Sequence, residues 1–486
     1  MRRRDFLRAV SASTGAAVLA PALWRPAGAT PAQATADGPY GSIEGREPDE
    51  NGIVLPEGFT SRVIARSDEE VEGTGYTWPV FPDGAATFPL AAGGWHLAVN
   101  TENPLEGEGG ASGITFDADG EIVAAERILE GTTMNCAGGP TPWEAWLSCE
   151  EVEGGLVWEC DPSGQITAEA RPALGAFPHE AVAVDPVGEA LYLTEDRPDG
   201  RLYRFTPEVY PDLTAGTLEV AKVAGDGSVT WLEVPDPSAA DTPTREQVPD
   251  STAFDGGEGI WFDQGSVFFS TKGDDHVRRY DTEAETVEVV YDGSGALTGV
   301  DNLTLEPGTG DLYVAEDGGN MEIVLLTPEG DAIPFLRIVD EGVPAGGLPS
   351  EVTGPAFSPD GRHLYFGSQR GGPANRGVSY AVTGPFRAAT TAATSTTTTL
   401  QAATATTAGG GDGGGGSGGD DGGSGLAVPL VGGAVAVGVV AAGALIWRAR
   451  TRGDDAVAGG TGGDAGGGAG GGAEGADDSG DATDSR

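Results

Sequence analysis

Residues 135–151 read NCAGGPTPWEAWLSCEE. The second half, EAWLSCEE ending at Glu151, is a unit that recurs along the chain. It has a turn or polar residue, an aromatic or aliphatic pair, two or three small or apolar residues, then a polar or acidic pair. The other copies are GWHLAVNTEN ending at Asn103, EALYLTED ending at Asp196, GSVFFSTKGD ending at Asp274, GDLYVAEDGG ending at Gly319 and RHLYFGSQRGG ending at Gly372. Three copies show an upstream partner strand with its turn: AVAVDPVGEALYLTED, NLTLEPGTGDLYVAED and AFSPDGRHLYFGSQ. Short alternating apolar runs broken by Asp-Gly, Pro-Gly and Gly-Gly dipeptides predict strands and turns rather than helices. The units return every roughly 45 to 52 residues, except across a Pro/Asp-rich insertion over about 208–250. Sheet-rich repeats at that period indicate propeller blades. The expected fold is all-β, a six-bladed β-propeller over residues 37–387; a β-sandwich or stacked hairpins is the alternative.

Within 135–151 the Gly138-Gly139 pair reads as a tight turn and the two tryptophans, Trp143 and Trp146, as a rigid frame. Cys136, Cys149, Glu150 and Glu151 are residue types that a metal site uses. The plain alternative is a hairpin whose aromatic residues are simply core.

The ends of the chain read differently. Arg3 and Arg4, followed by Asp5, Phe6 and Leu7, resemble a twin-arginine export signal, with an Ala-rich stretch and the small-residue site Ala27-Gly28-Ala29 after them; residues 1–36 are expected to be the signal peptide. That route carries folded cargo, which suits a protein loaded with metal before export. Residues 388–425 form a Thr-rich, then Gly-rich linker with no apolar periodicity, expected to be a disordered stalk. Leu426 to Trp447 is uncharged and long enough to cross a hydrocarbon core of about 30 Å as one transmembrane helix. Arg448, Arg450 and Arg452 follow, placing the disordered tail 448–486 in the cytoplasm. The expectation is therefore a single-pass cell-membrane protein whose propeller lies on the extracytoplasmic side.

Lys plus Arg is 27 against 75 Asp plus Glu, a formal net charge of -48. Such a balance argues against nucleic acid as a partner and suits either a divalent-cation binder or a solvated, salt-tolerant surface. Three cysteines, an odd number, argue against a disulfide-built domain and leave room for one bridge plus one free thiol. In a propeller, equivalent positions of the repeat gather at one end of the central channel. The candidates are Asn100, Glu102, Glu150, Glu151, Glu195, Asp196, Asp274, Glu316, Asp317 and Gln369. Other acids precede the repeat strands: Glu180, Glu258, Asp301 and Glu351. Converging carboxylates repel, so cations are expected between them. The histidines, His96, His179, His276 and His363, show no HExxH or paired spacing, and there is no GxSxG, P-loop or GxGxxG at a strand-helix junction.

These motifs resemble the PhoX-type alkaline phosphatase family of twin-arginine-exported β-propellers. The matching text is NCAGGPTPWEAWLSCEE, HEAVAVDPVGEALYLTEDRPDGRLYRFTP, GEGIWF, VDNLTLEPGTGDLYVAEDGGN and EVTGPAFSPDGRHLYFGSQRGG, in order between about Asn100 and Gly372. The resemblance implies a six-bladed propeller with a calcium- and iron-dependent phosphomonoesterase site in its channel mouth. Carried over, Cys136 is the implied iron-ligating thiolate, with Cys149 its rival. Glu180, Glu258 and Asp301 are implied metal ligands, and Glu150, Glu195, Asp196 and Asp317 are further candidates; no catalytic nucleophile is assigned. Two departures stand out. Gly256 occupies the position of an expected phosphate-holding arginine, and GSQRGGP stands where a Gln-His-Pro pattern is expected, with Arg370 as a possible substitute charge. The expected function is an exported, membrane-tethered, monomeric phosphatase using Ca2+ and Fe3+ on small phosphate esters. Alternatives are a calcium-dependent propeller hydrolase of lactonase or phosphotriesterase type, and a non-enzymatic surface binding propeller.

Overall fold

The computed structural model describes Trp24 and residues 38–339, 349–372 and 375–387. Those residues form six antiparallel sheets of four or five strands. The innermost strands are Pro82–Pro89, Asn135–Pro140, His179–Asp185, Gly257–Asp263, Val300–Leu305 and Val352–Phe357, and they define blades 1 to 6. Each inner strand neighbours the next around a central axis, with blade 6 returning to blade 1. The second strands are Trp95–Thr101, Trp146–Glu150, Ala190–Glu195, Ser266–Thr271, Leu312–Glu316 and His363–Ser368, the six repeats of the sequence. The six-bladed all-β expectation is borne out.

Closure comes from the N-terminus. Thr60–Arg66 pairs antiparallel with Val378–Thr383 and completes blade 6 as its outermost strand, so the ring has no open seam between first and last blades. Ile53–Val54 adds a fifth strand to blade 5. The insertion supplies the fifth strand of blade 3, Val229–Glu233, before returning toward the axis.

Burial is concentrated between blades. Blades 3 and 4 share Tyr192, Phe269 and Tyr280 in one cluster, and blades 5 and 6 share Tyr313, Phe335, Phe357 and Phe366 in another. Phe59 and Phe386, from the two ends of the propeller, join this second cluster with ring centroids 4.9 Å apart. Each buried aromatic side chain contributes about 1.5–3 kcal/mol of apolar transfer energy, so both ends of the propeller are fastened by packing as well as by strand pairing.

The Gly138-Gly139 pair is not a turn. Both residues lie inside the inner strand Asn135–Pro140, and the turn follows at Thr141–Ala145, where Glu144 takes φ 64°. The glycines are needed for approach: a Cβ on Gly139 would fall on the Val182 carbonyl oxygen of blade 3, and one on Gly138 on the Leu147 carbonyl oxygen.

Inner strands all begin at the same end of the channel, and second strands run back to it. Val378–Thr383 starts at that end, where Val378 pairs with Ser368, and finishes at the opposite face, where Thr383 pairs with His363. Among the described residues no helix is long and apolar enough to cross a membrane. The expected signal (Trp24 apart), stalk, transmembrane segment and tail lie outside the described residues.

Candidate metal centre at the channel mouth

Every inner strand carries a register break near the mouth. In blade 1, Pro82 pairs with Thr101 and Ala85 with Val99, so Asp83 and Gly84 face one residue, Asn100. The same two-against-one bulge sets Cys136-Ala137 against Cys149, Glu180-Ala181 against Thr194, Glu258-Gly259 against Ser270, and Asp301-Asn302 against Ala315. A bulge kinks its strand and re-aims a side chain. Here the first bulged residue is Asp83, Cys136, Glu180, Glu258 or Asp301. In blade 6 the break comes one step later, at Gly354-Pro355, and Glu351, just ahead of the strand, supplies the carboxylate.

The opposing residues brace the bulges. Asn100 donates to the Cys136 and Ala137 carbonyls at 3.3 and 2.7 Å, Thr194 Oγ1 to the Glu258 carbonyl at 2.5 Å, and Ser270 Oγ to the Asp301 carbonyl at 2.6 Å. Each bond crosses to the next blade. Trp146 Nε1 holds Asn100 Oδ1 at 2.8 Å, so one tryptophan of the frame read from the sequence fixes the bulge that presents Cys136. Cys149 occupies a bracing position and is fully buried.

A second ring follows the second strands. One residue past each paired position stand Glu102, Glu151, Asp196, Lys272, Asp317 and Gln369. Strand alternation sends their predecessors elsewhere. Glu150 accepts from the Thr133 and Leu156 backbone N–H groups and from Trp158 Nε1. Glu195 accepts from Tyr203 at 2.8 Å and Arg245 at 3.2 Å. Glu316 accepts from the Thr298 and Glu322 N–H groups. Asp274 pairs with Arg278 and Thr271 in its own blade. These four carboxylates hold turns and blade contacts rather than joining the central cluster.

Three overlapping donor sets form the centre: Asp83, Glu102 and Cys136; Cys136, Glu151 and Glu180; Glu180, Glu258 and Asp301, each with ligand atoms within 4.8 Å of one another. Of the sequence candidates, Cys136, Glu180, Glu258 and Asp301 are therefore brought together. Asp196 and Asp317 reach the edge of the cluster through Lys272, whose Nζ lies 2.7 Å from Glu258, 3.3 Å from Asp317 and 3.9 Å from Asp196. Asp83, Lys272 and Arg197 are additions that sequence reasoning passed over. Arg197 pairs with Glu151 at 3.6 Å and Arg370 with Glu351 at 2.9 Å. Gln369 donates to both Asp83 and Glu102, and Asn302 Nδ2 to Asp301 at 3.0 Å and Glu180 at 3.4 Å while its Oδ1 accepts the Gly354 N–H.

The electrostatics are those of a cation site without its charge balance. Burial, then the neighbouring carboxylates, pushes Asp83, Glu180 and Glu351 well above the usual range. Glu258 rises for the same first reason, against the pull of Lys272. Burial with Asp196 and Glu102 takes Glu151 up to about 8, and burial takes Asp301 to about 7. The Cys136 thiol is likewise raised by burial and by Asp83 and Glu180. Asp317 goes the other way, because a hydrogen bond with Glu351 and the Lys272 charge outweigh its burial. Among the described residues, Asp83 Oδ1 and Glu180 Oε2 are buried with no hydrogen-bond partner. Orphaned buried oxygens beside other acids are what a bound cation satisfies. Beneath the bulges lies a cavity of about 90 Å³ lined by Gly84, Ala137, Ala181, Trp146, Trp261 and Asn302, among others; its lining carries no charged side chain, so the ionic chemistry is confined to the mouth.

The family described as alkaline phosphatase PhoX matches residues 109–156 and 152–286, and the resemblance read from the sequence motifs is borne out. Among solved structures, Pseudomonas fluorescens PhoX in complex with vanadate, a transition state analogue, aligns with TM-score 0.57 at 18% identity, covering 70% of this chain and 97% of that one. A structural genomics protein of unknown function from Bacteroides thetaiotaomicron aligns with TM-score 0.42 at 11% identity over 67% of this chain and 76% of its own. No curated protein matches.

Proposed function

Starting from a PhoX-type propeller, we propose that this chain is a metal-dependent phosphomonoesterase whose site is the acidic mouth. The observation that carries the proposal is the convergence of Cys136 with Asp83, Glu102, Glu151, Glu180, Glu258 and Asp301 in three overlapping donor sets. The residues fit the metals that the family resemblance implies. Buried oxygens without partners suit calcium, and one thiol among them suits iron. Bound there, the metals would neutralise phosphate oxygens and lower the pKa of an oxygen nucleophile.

The chain's own residues do the rest. Bulges on five blades fix Asp83, Cys136, Glu180, Glu258 and Asp301 on strands rather than loops, so little reorganisation of these five is left for the reaction. Gln369 and Asn302 orient Asp83, Glu102, Asp301 and Glu180 through their amides. Arg197, Lys272 and Arg370 place three cations around the mouth, where an anionic ester arrives. Gly256 has no side chain to offer the phosphate, yet a Cβ there would lie 3.4 Å from Lys272 Cβ. The ammonium therefore stems from beside the position where the resemblance expects an arginine.

Export by the twin-arginine route and anchoring by residues 426–447 belong to the same proposal. The last strand of the propeller, Val378–Thr383, runs away from the mouth. The protein with iron and calcium bound should hydrolyse a generic phosphomonoester at alkaline pH. Calcium without iron, and activity on lactones or phosphotriesters instead, would support a different propeller hydrolase; metals without any hydrolysis would leave a binding module.

A further inference from the structure

Lys272 stands at a ring position where four other blades present a carboxylate and the sixth an amide. Its neighbour Thr271 pairs with Gly257 as Thr101 pairs with Pro82 and Glu316 with Val300, so the equivalence is one of register. The side chain is 36% exposed, yet its ammonium is turned to carboxylates rather than to open solvent. It reaches across three blades, with Glu258 of blade 4 at 2.7 Å, Asp317 of blade 5 at 3.3 Å and Asp196 of blade 3 at 3.9 Å. Glu258 is 2% exposed.

An oxygen cage from successive blades is the type of environment a hard divalent cation takes. In this chain it already holds a cation, tethered to the backbone. We propose that Lys272 is a built-in replacement for one divalent ion of the mouth, so that the pocket of Asp196, Glu258 and Asp317 is closed to metal and the bound metals gather on the Cys136 side. The inference rests on the metal-centre reading above, and it changes the expected metal count rather than the chemistry of the remaining sites.

The test is calcium stoichiometry by equilibrium dialysis on the full chain and on Lys272→Ala, Lys272→Gln and Lys272→Arg, with circular dichroism to confirm the fold. Both neutral variants should bind one more calcium per chain than the wild type, and Lys272→Arg the wild-type number. The neutral variants should also melt lower in chelator and recover on calcium addition, because three carboxylates lose their internal partner. A folded neutral variant that binds the wild-type number overturns the inference while leaving the metal centre intact. Neutral variants that stay unfolded with calcium present overturn it too. A wild type that binds no metal, beside neutral variants that bind one, supports the Lys272 role and sinks the larger metal centre instead.

Discussion

Cys136 Sγ lies 3.3 Å from Glu180 Oε1, across the boundary between blades 2 and 3. Neither group is positioned by its own strand alone. Asn100 of blade 1 holds the Cys136 bulge, and Asn302 of blade 5 holds Glu180. The thiol and the carboxylate thus report on four blades at once, and their closeness requires a cation or a shared proton, since two negative charges buried together would repel. If the thiolate is the iron ligand, Cys136→Ser should lose iron from the purified protein while calcium is retained and the melting temperature shifts by only a few degrees. Elemental analysis of the variant checks this, and iron retained at the wild-type level would count against the assignment.

The adjacent acids Glu150 and Glu151 should behave oppositely. Glu150 is the acceptor for two backbone N–H groups and an indole, so Glu150→Ala should destabilise the fold by about 1–3 kcal/mol through unsatisfied donors and leave metal content unchanged. Glu151→Gln should keep stability and weaken metal binding. Denaturant titration and metal analysis on the pair separate the two roles.

The metal-free protein should be less stable in alkali. Glu151 and Asp301 have folded values of about 8 and about 7, above the ordinary 4.5 and 3.8. Their protonated forms favour the fold, so that contribution is fully present below the ordinary values and is lost as pH rises through the folded ones. Each group gives a slope of up to about 1.4 kcal/mol per pH unit. Thermal melts in chelator should fall from about pH 5 to about pH 8; added calcium should remove the fall.

Asn302→Ala should weaken metal binding roughly 10–100-fold, the usual range for a residue that orients ligands without being one. It leaves the Gly354 N–H without its acceptor as well. Calcium titration by calorimetry reads the affinity.

Gly139→Ala should destabilise by about 1–3 kcal/mol, as overpacking does, because its Cβ meets the Val182 carbonyl. Urea unfolding measures it.

Much of this architecture was legible in the repeats, since all six second strands lie within the repeated units. The inner-strand acids Glu180, Glu258 and Asp301 were legible too, because each sits just ahead of an alternating apolar run. What the sequence hides is orientation. Glu150-Glu151, Glu195-Asp196 and Glu316-Asp317 look alike as pairs, but the pleat sends the first member to a turn or a neighbouring blade and the second to the mouth. Asp83 was masked by Pro82-Asp83-Gly84, which reads as a turn and folds as a bulge. Gly138-Gly139 misled in the same way: a glycine pair signals backbone freedom, and here the need is for close approach. Lys272 was masked because its unit, GSVFFSTKGD, ends on Asp274, whose carboxylate matches the acids that end other units, Glu151 and Asp196.

The measurement that tests the central claim most directly combines metal analysis and phosphomonoester hydrolysis on the same purified wild-type sample, before and after chelation. The account predicts bound calcium and iron, hydrolysis at alkaline pH, loss of both on chelation, and recovery when the metals return. A folded sample carrying both metals that leaves phosphomonoesters intact would contradict it.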